Sequence, residues 1–186
     1  MDLLAHAIYG ATVCSKTGLA GGRLGTRRTK HHHWATDWTV WCGLIMGLLP
    51  DVIALGPPWV AYLLNGREGN YWLSIGEDDL ARYRYTHSLI LSLGGAGLLR
   101  LIWKPLFAPA LAWPLHVAMD ALTHGTGRFQ TPIFYPLSTW GLDSIRWWEH
   151  PGLMISYWLA LPAIWVSFHI RRSKPAPPRE RIRLWV

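Results

Sequence analysis

Residues 151–170 read "PGLMISYWLALPAIWVSFHI" and contain no Asp, Glu, Lys or Arg. About 20 consecutive apolar residues, wound as an α-helix, cover the hydrocarbon thickness of a bilayer. Arg171, Arg172 and Lys174 follow directly. Whether this stretch crosses a membrane or lies in a water-soluble core decides the fold. The composition favours the membrane. Hydrophobic residues make up 51% of the chain and charged residues 16%, and there are 13 Trp. The charged share is below the usual quarter, and Trp gathers where membrane meets water. The opposing observation is a mean hydropathy of only +0.13, which keeps a soluble helical domain as the alternative. A length of 186 residues suggests one domain.

Three further apolar stretches lie upstream. Residues 106–122 and 87–103 are apolar, and Gly94, Gly95 and Gly97 in the second can support close helix packing. Residues 38–64, "WTVWCGLIMGLLPDVIALGPPWVAYLL", are interrupted by Pro50-Asp51 and Gly56-Pro57-Pro58. Proline removes a helix donor and kinks the chain, so this stretch is expected as a broken span or a helix plus a re-entrant piece. Residues 3–14 form an apolar helix too short to span. The start "MDLLAHAIYG" has no basic segment and reads poorly as a signal peptide. The expected fold is all-α: a polytopic membrane bundle of about four spans over 1–170, with a basic tail at 171–186.

Net charge is +7. The basic residues concentrate in 16–33, 100–104 and 171–183, whereas 65–86 and 125–150 are near neutral. In a membrane chain, basic loops mark the cytoplasmic side, which places the C-terminal tail in the cytoplasm. No aromatic-interleaved RNA motif or DNA-reading helix accompanies the basic runs, so no nucleic-acid partner is expected. Cys14 and Cys42 form no CxxC pair and read as small apolar residues.

Six polar residues interrupt the apolar runs: His6, Asp51, His87, His116, Asp120 and His124. In "LHVAMDALTHG" (115–125), His116, Asp120 and His124 recur every fourth residue and share one helix stripe. Such a stripe is either a polar seam between helices or a set of metal ligands. Neutral imidazole and carboxylate suit a divalent metal, zinc first and manganese as the alternative. The inventory is large enough for one ion or two. The loop charges put His87 and His124 at the same membrane face, with Asp51 able to approach it. "HHH" at 31–33 falls on the opposite face, and His150 and His169 read as interfacial.

"LLPD" (48–51), "THSL" (86–89), "HVAMDALTHG" (116–125), an early His6 and "PIFYPL" (132–137), in that order, resemble the YdjM-like family of membrane-bound metal-dependent hydrolases over roughly residues 1–140. The resemblance implies a multi-span inner-membrane protein, a hydrolase site and similarity to zinc-dependent phospholipase C. One family member is described as binding a DNA-damage repressor, which implies a regulatory protein partner as well. His6, Asp51, His87, His116 and Asp120 match the family's motif positions. Upstream of "THSL" many members carry a His-Arg pair, whereas this chain reads Arg82-Tyr83-Arg84-Tyr85. That departure leaves a further His ligand without a counterpart, and His124 is the residue able to replace it.

The expected activity is a metal-dependent hydrolase acting on a phosphoester, such as a membrane lipid or lipid-linked phosphate, as a phosphodiesterase or phosphatase. A metal-activated water would be the nucleophile. Asp51 and Asp120 would bridge or orient, and Arg84 or Arg82 would stabilise phosphoryl charge. Pairing of the two arginines with Glu77, Asp78 and Asp79 is the plainer alternative. Tyr135, Ser138 and Trp140 are candidates for an acyl or headgroup pocket, with an interfacial belt as the simpler account of the tryptophans. Two other readings stand beside the hydrolase. One is a regulatory, partner-binding membrane protein with a structural metal. The other is an ion transporter, which would need polar residues at graded depths.

Overall fold

The computed structural model describes residues 1–23 and 34–173. Helix starts follow local capping chemistry. Asp2 caps α1 (Leu3–Cys14) by accepting from Ala5 N at 2.9 Å. A short α2 (Leu19–Arg23) lies within the basic segment 16–33, which the sequence reads as a loop. Asp37 caps α3 (Trp38–Leu64), accepting from both the backbone and the hydroxyl of Thr39. α4 (Tyr71–Ser74) is one turn, and α5 (Glu77–Thr86) opens with Glu77, Asp78 and Asp79, which suit the positive end of its dipole. Ser88 caps α6 (Leu89–Ile102). α7 (Phe107–Ala110) leads into α8 (Ala112–Thr123), and α9 (Pro151–Ser173) ends the described chain. Residues 125–146 are irregular, and no strand occurs among the described residues.

The all-α expectation holds, and the span count is revised. Three helical stretches are long and apolar enough to cross a membrane: Trp38–Leu64, Lys104–Thr123 and Pro151–Phe168. The expected fourth, Leu89–Ile102, has only 14 residues. The break expected in residues 38–64 is also absent. α3 is one helix of 27 residues that contains Pro50, Pro57 and Pro58. A proline inside a helix withholds one hydrogen bond and crowds the preceding turn, and a long helix tolerates this where other groups satisfy the freed carbonyls. The bond withheld at Pro50 is the one to the carbonyl four residues back, that of Met46; the next carbonyl, Gly47, accepts from a side chain of α8.

α1 lies tightly against α3. A Cβ on Gly43 would come within 2.8 Å of the Gly10 carbonyl, and one on Gly47 within 2.6 Å of the His6 carbonyl. The crossing therefore requires glycine on both sides, as in small-residue helix contacts in membranes. The glycines of α6 behave otherwise. Gly95 meets the Trp113 ring, while Gly94 and Gly97 face open space. α9 holds the outer side of α1 through Met1, Ala5, Tyr9, Tyr157 and Leu161. The Tyr9 hydroxyl donates to the Tyr157 carbonyl, and Tyr157 Oη and Trp158 Nε1 donate to Asp2 Oδ2. Helices α1, α3, α5 and α8 thus enclose a common interior, and the polar residues of the sequence lie there.

Candidate metal centre

His116 and Asp120 stand one turn apart on α8, with His116 Nε2 3.2 Å from Asp120 Oδ2. α3 brings in Asp51, immediately after Pro50. The C-terminal end of α5 brings in His87, whose backbone N–H closes that helix on Tyr83. One ligand atom from each of Asp51, His87, His116 and Asp120 lies within 4.8 Å of every other. His87 Nε2 is 3.1 Å from His116 Nε2, 3.3 Å from Asp51 Oδ1 and 3.4 Å from Asp120 Oδ2; His116 Nε2 is 3.8 Å from Asp51 Oδ2. Metal–ligand bonds of 2.0–2.2 Å in a tetrahedron put neighbouring ligands about 3.3–3.6 Å apart. The observed separations bracket that edge length.

The far sides of the two imidazoles decide what the near sides can do. His116 Nδ1 lies 2.6 Å from the Gly47 carbonyl, and His87 Nδ1 lies 3.0 Å from the Tyr83 carbonyl. A carbonyl only accepts, so each Nδ1 carries the proton. In the neutral rings both Nε2 atoms then present lone pairs to each other, with two carboxylates beside them. Bare lone pairs facing across 3.1 Å require a cation between them, either a shared proton or a metal. Anchoring the far ring nitrogen on a backbone carbonyl is also how metal-binding histidines are oriented. The two carboxylates carry two negative charges, which one divalent ion would neutralise. His87 and His116 are fully buried. Asp51, with its side chain 19% exposed, is the edge of the group nearest solvent.

Four of the six residues singled out in the sequence, His6, His87, His116 and His124, meet the carboxylate of a fifth, Asp120, and divide between its two oxygens; the sixth, Asp51, joins through His87 and His116. Oδ2 faces His87 and His116. Oδ1 faces His6 Nε2 at 2.8 Å, His124 Nδ1 at 3.2 Å and the Met1 nitrogen at 2.7 Å. His6 and His124 therefore reach the cluster through its central carboxylate. His6 stacks on His116 with ring centroids 3.7 Å apart, and burial holds its pKa down to about 4 against the pull of Asp120, so the ring is neutral. Its Nδ1 has no hydrogen-bond partner among the described residues. His124 does not prolong the stripe as a helical residue: it is the C-cap of α8, in extended conformation, its N–H on the Asp120 carbonyl at 2.8 Å.

The remaining candidates lie outside the cluster. Arg82 pairs with Asp79 on the same helix, the plainer of its two expected roles. Arg84 reaches Glu77 only at 3.9 Å, with its side chain 40% exposed. Trp140 is exposed and stacks on Phe134. Ser138 Oγ accepts from the Trp140 N–H, and half-buried Tyr135 accepts on its carbonyl from Ser88 Oγ at 2.6 Å. His150 is exposed. Residues 31–33 and the tail from 174 on lie outside the described residues, as does the His169 side chain.

Sequence reasoning missed four contributors. The Gly47 and Tyr83 carbonyls fix the tautomers. The Tyr83 ring stacks on His87 with centroids 3.8 Å apart. Thr123 Oγ1 receives the Met1 nitrogen at 2.8 Å. Tyr83 was readable as the residue one turn before His87; the carbonyls left no signal in the sequence. No family model matches the chain, and no curated protein or solved structure matches it.

Proposed function

We propose that the chain is a multi-pass inner-membrane protein, its basic tail cytoplasmic, that uses a divalent metal to hydrolyse a phosphoester of a membrane lipid or lipid-linked phosphate. The observation that carries this reading is the convergence of two bare imidazole nitrogens and two carboxylates in a buried pocket. The donor set of two nitrogens and two oxygens suits zinc, with manganese second. One ion held by Asp51, His87, His116 and Asp120 is the expected stoichiometry. Such an ion supplies a Lewis acid and activates water at neutral pH. Around it, His6 and His124 orient Asp120, and the Gly47 and Tyr83 carbonyls orient the two ligand imidazoles. Asp51 has the most accessible ligand atoms and the longest contact in the group, so it is the ligand that can yield a position to water or substrate. Exposed Trp and Leu side chains on α3 and α9 support membrane placement, with Leu89–Ile102 dipping in as a short fourth element. The motif order shared with the YdjM-like family supports the same assignment.

One observation favours a second reading. Four protein ligands in a tetrahedron describe a closed, structural site, whereas catalytic zinc sites keep one position open. A regulatory membrane protein with a structural metal would have this geometry. The ion-transporter reading has less support, because the polar residues form one cluster instead of a ladder through several spans.

Metal analysis of the purified, detergent-solubilised protein beside Asp120→Ala tests the proposal, followed by release of the phosphorylated headgroup from short-chain phospholipids and of phosphate from short-chain phosphatidic acid. The expected result is one zinc or manganese per chain, absent from the variant, with turnover that disappears on chelation and returns with metal. A metal lost without any change in turnover would sink the hydrolase. Tightly held metal with no turnover on any phosphoester would favour the structural reading.

A further inference from the structure

One cavity is walled on one side by the residues of α5 that precede His87. It has a volume of about 460 Å³ and is lined by Glu77, Leu80, Arg84 from α5 and by Gly127, Arg128, Gln130, Pro132 and Thr139 from the irregular segment that follows α8. The volume is in the range of small-molecule sites. We propose that this cavity is an anion subsite that takes a phosphate group, with Arg84 and Arg128 as its cationic walls.

Three observations carry the assignment. The first is the state of the two arginines. Arg128 donates Nη1 to the Trp72 carbonyl at 3.0 Å and Nη2 to the Ile75 carbonyl. These contacts fix the guanidinium without neutralising it, and no carboxylate lies within 4.0 Å of it among the described residues. Arg84 has only a loose partner in Glu77, whose side chain is 81% exposed. A planar guanidinium held in place and lacking a carboxylate suits phosphate oxygens, which it can meet with two parallel N–H donors. The second observation is the rest of the lining. Gln130 and Thr139 add neutral donors, and buried Leu80 closes the back.

The third observation is position. Leu80, Arg84 and His87 are spaced four and three residues apart, so they fall on one stripe at the end of α5. At 1.5 Å rise per residue, Arg84 sits about 5 Å along the axis from His87. The opposite wall is tied to the same place, because the Tyr83 hydroxyl donates to the Phe129 carbonyl at 3.0 Å and lies 3.4 Å from Thr131 Oγ1. Tyr83 therefore contacts both His87, on which it stacks, and the segment that supplies the opposite wall. The subsite therefore rests on the proposed hydrolase only for its purpose. Its chemistry stands on the arginines.

Isothermal titration of the full-length, chelator-treated protein in a zwitterionic detergent tests the subsite without any metal. The probes are inorganic phosphate and dihexanoyl phosphatidic acid, each against wild type, Arg84→Gln and Arg128→Gln. The expected result is binding of at least one probe to wild type, weakened about tenfold or more in each variant and weakened again by added salt. Arg84 anchors no loop, so Arg84→Gln decides the matter should Arg128→Gln fold poorly. Phosphate binding as tightly as the lipid would identify a soluble phosphate source. Lipid binding alone would identify a headgroup. Either supports the subsite once Arg84→Gln removes it. No binding of either probe, or binding that both variants leave intact, would overturn it. Metal content and turnover are separate readouts, so the hydrolase proposal can fail while the subsite stands, and the reverse.

Discussion

The interior around α8 and the outer faces of α3 and α9 have exchanged the roles expected of a water-soluble protein. Among the largest fully buried side chains are His6, His87, His116, Asp120, Thr39 and Thr131. On the outside, Leu64 is 82% exposed, and Trp59, Leu159, Trp165 and Val166 are exposed too. In water this arrangement is unfavourable twice over: apolar area stays wet, and charges are buried. In a bilayer the outer face is dry without any protein cover, and the interior is the one place where polar side chains find partners. The polar interior is then held by its own hydrogen bonds and by whatever cation sits between His87 and His116. The outer shell would be held by lipid. Perturbations of the two regions should differ in kind as well as in size.

Metal removal should show the largest effect. Without a divalent ion the cluster keeps two carboxylates and two facing imidazoles that only protons can neutralise. A ligand present at a thousand times its Kd stabilises the native state by about 4 kcal/mol. Chelation should therefore lower the thermal midpoint of the detergent-solubilised protein by a comparable free energy, with zinc restoring it. A midpoint indifferent to both chelator and metal would make the interior a proton-bridged polar seam.

Within one turn of α9, two leucines test the boundary between the regions. Leu161 is buried against α1, and Leu159 is 64% exposed. Leu161→Ala should cost about 3 kcal/mol, as core truncations do. Leu159→Ala in detergent should stay within about 0.5 kcal/mol. Equal losses in a melting series would mean that the outer face of α9 packs against protein, for instance a second copy.

The α1–α3 crossing should respond next. Gly47→Ala places a methyl 2.6 Å from the His6 carbonyl. Overpacking of this sort costs about 1–3 kcal/mol, and because it pushes α1 away it should also loosen His6 from Asp120. Gly94→Ala meets nothing within 4 Å and should be neutral or slightly stabilising. The pair is read by melting temperature together with metal content. Only Gly47→Ala should lower both.

These glycines show where the sequence was informative and where it was silent. The helical class, the three long apolar stretches and the gathering of His6, Asp51, His87, His116, Asp120 and His124 were legible, because each rests on local periodicity or on polar residues out of place in apolar runs. The glycines that matter were not. Gly94, Gly95 and Gly97 look like a packing motif, yet only Gly95 has a neighbour; Gly43 and Gly47 stand one helical turn apart, and nothing local says that α1, with Gly10, is what they face. Pro50 misled in a similar way. Read locally it breaks a helix, but it withholds one backbone bond, to the Met46 carbonyl, and a 27-residue helix packed against α1 and α8 runs on through it. The division of the four histidines between Asp120 Oδ1 and Oδ2 was beyond reach for the same reason, since spacing gives a helix face and does not say which oxygen a neighbouring helix meets. Arg128 had no motif around it; its role depends on carbonyls of residues 72 and 75.

The smallest expected effect is chemical, and it reports on whether α1 stays in place. Cys14 closes α1 and is buried, which pushes its thiol pKa up to about 12. Only the thiolate reacts with maleimides, and a thiol of ordinary pKa near 8.5 is about one-quarter thiolate at pH 8. At pH 8 a thiol of pKa 12 is ionised about one part in 10⁴. Cys14 should therefore label with N-ethylmaleimide more than 10³-fold more slowly than a free thiol, and should become reactive only after denaturation. Cys42, partly exposed on α3, is the internal comparison. Mass spectrometry of wild type and Gly47→Ala would follow both sites over time. Protection of Cys14 in wild type, lost in the glycine variant, ties the thiol to the crossing that positions His6. Rapid labelling of Cys14 in the native protein would mean that α1 leaves α3 readily, and His6 could not then hold Asp120 in the orientation the metal centre needs.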